Sequence, residues 1–184
     1  MNQLTLTNFT TMNKINYVTG DATEPRGEGL KIIVHVCNDI GAWGSGFVMA
    51  LSAVWSKPEE AYRAMSDEDR HLGNVHLVGV EDDIIVANLI GQHNVGPLST
   101  GFDGNKKMYP PIRYSAIAEG LQVLNNAALV LEEKQGRPVS IHMPRIGSAR
   151  AGGKWEFIET IIQETTTVPV TVYDFPENHL NPNR

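Results

Sequence analysis

Two glycine-rich segments of the sequence could bind an anion. The first, Gly44-Ser45-Gly46, precedes a predicted helix that begins at Phe47, and the second, 146–153, precedes a predicted helix at Trp155. Glycine permits unusual backbone angles and leaves N–H groups open to a ligand. The start of a helix adds the positive end of its dipole. Together the segments could hold two phosphates, although glycines that serve only turn geometry are the alternative. Neither segment is a Walker loop or a Gly-x-Gly-x-x-Gly dinucleotide fingerprint.

Polar residues that could move protons follow two predicted strands. Asn38 and Asp39 end one apolar run, and Gln92 and His93 end the next. A neutral imidazole at His93 could act as an acid or a base near pH 7. A solvated loop histidine is the alternative for His93, and a turn cap is the alternative for Asn38.

The elements that must position these residues alternate between strands and helices. We predict strands over 15–18, 31–37, 75–80, 84–89, 139–143 and 168–173, and helices over 47–55, 58–67, 112–134 and 155–165. Segment 91–112 is predicted to be a long loop, which is usually functional or mobile in a compact domain. The alternation favours an α/β sandwich. In such sheets ligands bind beyond the carboxyl ends of the strands, where the glycine segments and the polar residues fall.

Three residues with reactive side chains lie inside apolar runs. His35 and His142 are therefore predicted to be core histidines, and Cys37 is predicted to face the core.

Composition limits the class of protein. The chain has 184 residues, 41% of them hydrophobic, which suits one domain with a substantial core. A net charge of −6 disfavours broad nucleic-acid binding. A single cysteine excludes an internal disulfide framework and a cysteine-based zinc site and fits a reducing compartment. The sequence predicts no metal and no cofactor. The sequence has no apolar run long enough to cross a membrane, and residues 1–14 lack the pattern of a signal peptide. We therefore predict a cytoplasmic protein without a membrane partner.

The sequence resembles the macrodomain family, whose α/β/α module binds ADP-ribose. The resemblance runs from about Ile15 to Phe175, and the segments that carry it are Tyr17–Asp21, His35–Asn38, Gly44–Phe47, Met143–Gly147, Trp155 and Val170–Tyr173. Within the family, the sequence resembles the branch with terminal ADP-ribose glutamyl hydrolases and yeast-type ADP-ribose 1″-phosphatases. The resemblance implies a three-layer α/β/α sandwich around a central mixed, largely parallel sheet. It implies one domain over 13–176, an N-terminal extension or added strand over 1–12, and a tail over 177–184.

The resemblance also implies an adenine end of the site. Asp21 would accept a hydrogen bond from the adenine amino group, beside the backbone of Ala22. Asp174 and Phe175, at the end of the last strand, would lie nearby. A turn cap is the alternative role for Asp21.

At the other end, the resemblance implies that Asn38 holds the distal ribose. Trp43 would cover that ribose or merely pack against its loop. Contacts to the diphosphate and the ribose would come from the two glycine segments, through Gly44, Ser45, Gly46, Phe47, Ile146, Gly147, Ser148, Ala149, Arg150 and Ala151.

Both catalytic positions depart from the glutamyl hydrolases. Their lysine falls at Gln92, which stays a candidate ligand residue, and their catalytic aspartate falls at Ala151. Their lysine-adduct mechanism therefore cannot be carried over. Arg150 is unusual at its position and could add a charged contact to a phosphate.

Three functions are consistent with these residues. The first is hydrolysis of an ADP-ribose derivative, with ADP-ribose 1″-phosphate as the best candidate and removal of ADP-ribose from a macromolecule or of an acyl group as further options. Water would attack directly, Asn38 would orient the ribose, and His93 or Asp39 would move the proton. The second function is binding without turnover, and the third is an α/β domain whose glycines are only structural. Nucleic acid would be a partner only as an ADP-ribosylated substrate, and the oligomeric state is not predicted.

Overall fold

The computed structural model describes residues 14–100 and 107–176. The predicted extension 1–12 and tail 177–184 lie outside the described residues. The strands are β1 (Asn16–Thr19), β2 (Leu30–Asn38), β3 (Val75–Glu81), β4 (Ile84–Gln92), β5 (Leu98–Thr100), β6 (Lys107–Tyr109), β7 (Val139–Pro144) and β8 (Val170–Asp174). The helices are α1 (Phe47–Val54), α2 (Lys57–Ala64), α3 (Tyr114–Gln135) and α4 (Trp155–Thr165).

Strand β2 shows why the sheet lies between two layers of helices. Its side chains alternate between the faces of the sheet and are apolar on both, as in a strand that is covered on both sides. Ile32 and Val34 belong to the core formed with α3 and α4, whereas Ile33 and Cys37 belong to the core formed with α1 and α2. This arrangement is the predicted three-layer α/β/α sandwich.

The sheet has the order β1-β8-β7-β2-β4-β3. Each pair of neighbours is parallel except β3 and β4, which are antiparallel. The predicted mixed, largely parallel sheet is confirmed. The carboxyl ends of β1, β2, β4, β7 and β8 therefore meet at one edge of the sheet, which is the edge that the sequence predicted to bind the ligand.

A bulge at the end of β4 shapes this edge. Cys37 pairs with Ile90, but Asn38 pairs with Gln92, so Gly91 is the extra residue. A side chain at Gly91 would collide with Ile117 of α3, which explains the glycine. Bulges change the direction of side chains next to them, and here those side chains are Asn38 and Gln92.

Several predicted boundaries were wrong, among them the end of β4, which is Gln92 rather than residue 89, and the start of β8, which is Val170 rather than residue 168. Helix α2 ends at Ala64 rather than near residue 67, since Ser66 Oγ accepts a hydrogen bond from Asp69 N (3.1 Å) and forms a separate turn. Helix α3 begins at Tyr114 because Ile112 is bridged to Gln92. The predicted loop 91–112 contains the short antiparallel pair β5 and β6.

Within the described ranges, none of the helices has the length and apolar character needed to cross a bilayer.

Candidate functional site

Two adjoining cavities lie beyond the carboxyl ends of the strands. The larger, about 550 Å³, is lined by Asn38 and Trp43 among others, and we call it the Asn38 cavity. The smaller, about 250 Å³, is lined by Gly147 among others, and we call it the Gly147 cavity. Both cavities are lined by Val36, Ser45, Val48, Gln92 and Arg150. They are therefore two lobes of one groove, which we call the strand-end groove.

Most of the predicted site residues line this groove. They are Asn38, Trp43, Gly44, Ser45, Gly46, Phe47, Gln92, Ile146, Gly147, Ala149, Arg150 and Ala151. The predicted residues outside this lining are Asp21, Ala22, Asp39, His93, Ser148, Asp174 and Phe175. Ser148 points back into its own loop and donates to the Arg145 carbonyl oxygen at 2.8 Å. The two glycine segments thus face each other across one groove.

Asn38 stabilises the loop that follows β2 through hydrogen bonds. Its Nδ2 donates to the Ala42 carbonyl oxygen at 2.6 Å, and its Oδ1 accepts from the N–H groups of Ile40 (3.1 Å) and Ala42 (2.9 Å). The buried Tyr62 hydroxyl donates to the Asn38 carbonyl oxygen at 2.6 Å. An amide nitrogen carries two hydrogens, and among the described residues Asn38 Nδ2 donates to the Ala42 carbonyl oxygen alone, so its second N–H can donate to a ligand in the cavity that it lines.

Trp43 both packs in the core and lines the Asn38 cavity. It is 8% exposed, and its indole Nε1 donates to Ser52 Oγ at 2.8 Å. Its ring meets His35 edge to face, with 5.3 Å between the centroids. The tryptophan is thereby fixed in one orientation, so this wall of the cavity is preorganised.

Gly46 and Gly147 have backbones that favour glycine. Gly46 has a φ of 81° and precedes α1, and with no side chain it leaves the N–H groups of Phe47 and Val48 without a side-chain cap, whereas Met49 N donates to the Gly46 carbonyl oxygen at 3.1 Å. Gly147 has a φ of 68°, and a Cβ there would lie only 2.6 Å from Ile112 Cδ1. Free N–H groups at a helix start suit an anion, and both glycines line the Gly147 cavity.

Asp39 and His93 form a dyad next to the groove. His93 Nδ1 donates to Asp39 Oδ2 at 2.5 Å, and Asn94 N donates to Asp39 Oδ1 at 2.9 Å. Burial raises the pKa of Asp39, but these hydrogen bonds outweigh it, and the pKa lies below its ordinary value. Since Nδ1 is engaged, Nε2 is the nitrogen of His93 that can exchange a proton with a substrate. Each member directly follows a lining residue, Asn38 or Gln92.

The predicted adenine residues meet at the ends of β1 and β8. Thr19 pairs with Asp174, and Gly20 N donates to the Asp174 carbonyl oxygen at 3.0 Å. Asp21 Oδ1 accepts from Thr23 N (2.9 Å) and Thr23 Oγ1 (2.8 Å), so this carboxylate also caps a turn. Ala22 is buried and Phe175 is exposed.

Arg145 is a groove residue that the sequence reasoning missed. Its guanidinium binds the Asp174 carboxylate at two points, 2.5 and 2.9 Å, and thereby holds the pKa of Asp174 below its ordinary value. It lies 5.2 Å from the ring centroid of Tyr17 and 5.0 Å from that of Trp155, distances typical of cation–π contacts. The sequence feature that could have indicated Arg145 as a site residue is its position directly after the buried strand β7.

The two core histidines are buried as predicted. His35 Nε2 donates to Asn88 Oδ1 at 2.6 Å, and burial lowers the pKa of His35 to about 4. Burial, assisted by the charge of Lys31, lowers the pKa of His142 to about 4 as well. Burial raises the pKa of the Cys37 thiol. Although His35 and Cys37 line the groove, neither is charged near pH 7.

A third cavity, of about 420 Å³, lies away from the strand ends. It is lined by residues of α2, β3 and the segment between them, among them Met65, Asn74 and His76. Neither glycine segment contributes to it, so it lacks the features that favour an anion.

Solved structures similar to this chain identify its family. A protein of unknown function from Bacteroides thetaiotaomicron is 47% identical, with 88% of this chain and 98% of that chain covered and a TM-score of 0.75. A macrodomain protein from Streptomyces coelicolor is 44% identical, with 88% of this chain and 99% of that chain covered and a TM-score of 0.69. No family model matches the sequence. The chain belongs to the macrodomain family, which confirms the resemblance seen in the sequence.

Curated relatives include proteins of two kinds whose names describe them. Mouse chromodomain-helicase-DNA-binding protein 1-like is 32% identical over 177 residues, which are 89% of this chain but 18% of that protein. The chain thus spans less than a fifth of that relative. An ADP-ribose 1″-phosphate phosphatase from Lodderomyces elongisporus is 25% identical over 164 residues, which are 86% of this chain and 97% of that protein.

Proposed function

We propose that the strand-end groove binds ADP-ribose or a derivative of it, and that the protein hydrolyses such a derivative, with ADP-ribose 1″-phosphate as the best candidate. The observation that carries this proposal is that two glycine segments face each other across one two-lobed groove at the strand ends. The similarity to an ADP-ribose 1″-phosphate phosphatase along nearly its whole length supports it.

The shape of the groove suggests how the ligand lies. The adenine would be near Asp21, Ala22, Asp174 and Phe175. The diphosphate would lie in the Gly147 cavity, where N–H groups of both glycine segments can donate to its oxygens. The distal ribose would enter the Asn38 cavity, where the remaining N–H of Asn38 can donate to a hydroxyl.

The chemistry that fits these residues is direct attack by water. Its oxygen would bond to the phosphorus of the 1″-phosphate while the bond from that phosphorus to the ribose oxygen breaks. Inorganic phosphate and ADP-ribose are then the products. Backbone N–H groups would stabilise the charge that develops on the phosphoryl oxygens. His93, held by Asp39, would take the proton from water through Nε2 and return it to the leaving oxygen.

Binding without turnover is the second candidate. Two observations favour it: Gln92 and Ala151 provide neither an amine nor a carboxylate to the groove, and the dyad of Asp39 and His93 is not among the described lining residues. In this case the protein would recognise ADP-ribose, free or on a macromolecule.

The remaining proposals concern the cellular location, the domain boundaries and the nucleic-acid partners of the protein. We infer a cytoplasmic location from the single buried cysteine, which suits a reducing compartment. One domain over 13–176 remains our proposal for the domain boundaries. Nucleic acid would be bound only as a carrier of ADP-ribose, because the net charge of −6 opposes general binding.

Isothermal titration calorimetry with ADP-ribose, and with AMP as the control, tests binding. We expect ADP-ribose to bind at least about tenfold more tightly than AMP because AMP lacks the distal ribose. Gly46→Val is the matched negative variant, since a β-branched side chain at φ 81° strains the loop and narrows the groove; its melting temperature reports whether it folds.

Release of phosphate from ADP-ribose 1″-phosphate then separates the two candidates. Release supports the hydrolase, and tight binding without release supports the binding module. Absence of ADP-ribose binding would overturn both.

A further inference from the structure

Arg150 crosses the groove from the second glycine segment to the first. It lines both lobes, and a Cβ on Gly46 would lie 3.9 Å from its Cδ. Its aliphatic stem therefore lies against the loop that begins α1, with the guanidinium within reach of either lobe.

The Asn38 cavity has one charged wall residue. Among its described lining residues, Arg150 is charged and the others are neutral. The other arginine of the groove, Arg145, is bound at two points by Asp174. No ion pair of Arg150 occurs within the described parts of the chain. Within the described residues, the larger lobe thus has one lining cation, and that cation forms no ion pair.

We propose that Arg150 determines specificity at this site by selecting ADP-ribose derivatives that carry an anionic group on the distal ribose. This inference rests on the proposed function. A guanidinium binds a phosphate through two parallel hydrogen bonds. A phosphate monoester in the Asn38 cavity would receive both, whereas the neutral hydroxyl of ADP-ribose would receive at most a weaker one.

The alternative role of Arg150 is binding of the diphosphate. The Gly147 cavity already has the N–H groups of both glycine segments on its walls. The Asn38 cavity has no other cation on its described walls. The geometry therefore gives Arg150 its larger effect on a group attached to the distal ribose.

The test compares two ligands by calorimetry: ADP-ribose and a non-hydrolysable phosphonate analogue of ADP-ribose 1″-phosphate. The variants are Arg150→Gln and Arg150→Lys. Lys154→Gln is the matched control, because it removes a positive charge from the residue that directly follows the second glycine segment. The Lys154 ammonium lies 5.7 Å from the Phe157 ring centroid, and Lys154 is not among the residues that line the groove.

We expect the unaltered protein to bind the phosphonate about tenfold or more tightly than ADP-ribose. Arg150→Gln should reduce this preference to about twofold or less, and Arg150→Lys should retain part of it. Lys154→Gln should keep it in full. Melting temperatures of the variants report whether they fold.

Two outcomes would overturn the inference while leaving the proposed function intact. One is that the unaltered protein binds both ligands equally. The other is that Arg150→Gln weakens both ligands by the same factor, which would assign Arg150 to the diphosphate. If the unaltered protein binds neither ligand, the proposed function fails as well.

Discussion

Two buried histidines should make the folded state less stable as the pH falls from about 7 to about 4.5. The pKa of His35 and that of His142 are each lowered from 6.5 to about 4. Between these values the unfolded chain binds protons that the folded chain does not, so the free energy of unfolding falls as the pH falls. Since one pKa unit corresponds to about 1.4 kcal/mol, each histidine should cost about 2 to 3 kcal/mol over this range and the pair about 5 kcal/mol.

Urea unfolding at a series of pH values measures this effect. His142→Gln removes one of the two titrating groups and should remove about half of the pH dependence. His71→Gln is the matched control for removal of a histidine, because His71 is exposed. Aspartates with a lowered pKa, such as Asp174, lose most of their contribution below their ordinary value of 3.8, so they add little to the change within this window. A free energy of unfolding that stays constant between pH 7 and 4.5 would refute the reasoning.

Three further variants test the groove. Gly147→Ala should lower the free energy of unfolding by about 1 to 2 kcal/mol, because φ is 68° and the Cβ would crowd Ile112. Urea unfolding measures this change. Gly79→Ala is the control and should lower the free energy of unfolding by less, because nothing lies within 4 Å of a Cβ at Gly79. Asn38→Ala should lower the free energy of unfolding by about 1 to 3 kcal/mol, because the N–H groups of the loop lose their acceptor. It should also reduce the rate of phosphate release by a larger factor than the affinity for ADP-ribose. Equal reductions of rate and affinity would contradict a role of Asn38 in orienting the ribose. His93→Gln should keep ADP-ribose affinity and slow phosphate release by about 100-fold or more; an unchanged rate would show that the dyad does not move the proton.

The sequence was sufficient to predict the layers and the edge that holds the groove. Strand β2 is apolar on both faces, and that pattern requires helices on both sides of the sheet. Each glycine segment lies between a strand and a helix, so chain order alone brought both to the carboxyl ends of parallel strands. These features depend on local patterns, which a sequence displays directly.

Contacts between distant residues were not predictable in this way. The bonds between Asp39 and His93 and between Arg145 and Asp174 join residues 54 and 29 positions apart, and they depend on the order of strands in the sheet. Asn38 was predicted to meet the ligand, but most of its hydrogen-bonding capacity holds its own loop, because the loop returns to it at Ala42. The bulge at Gly91 likewise became evident only from the pairing of β2 with β4.

A crystal structure of the protein with ADP-ribose would test most directly whether the strand-end groove is the binding site. We expect the diphosphate within hydrogen-bond distance of N–H groups of both glycine segments, and the distal ribose in the Asn38 cavity next to Trp43. ADP-ribose bound elsewhere, such as in the cavity between α2 and β3, would contradict the assignment of the groove.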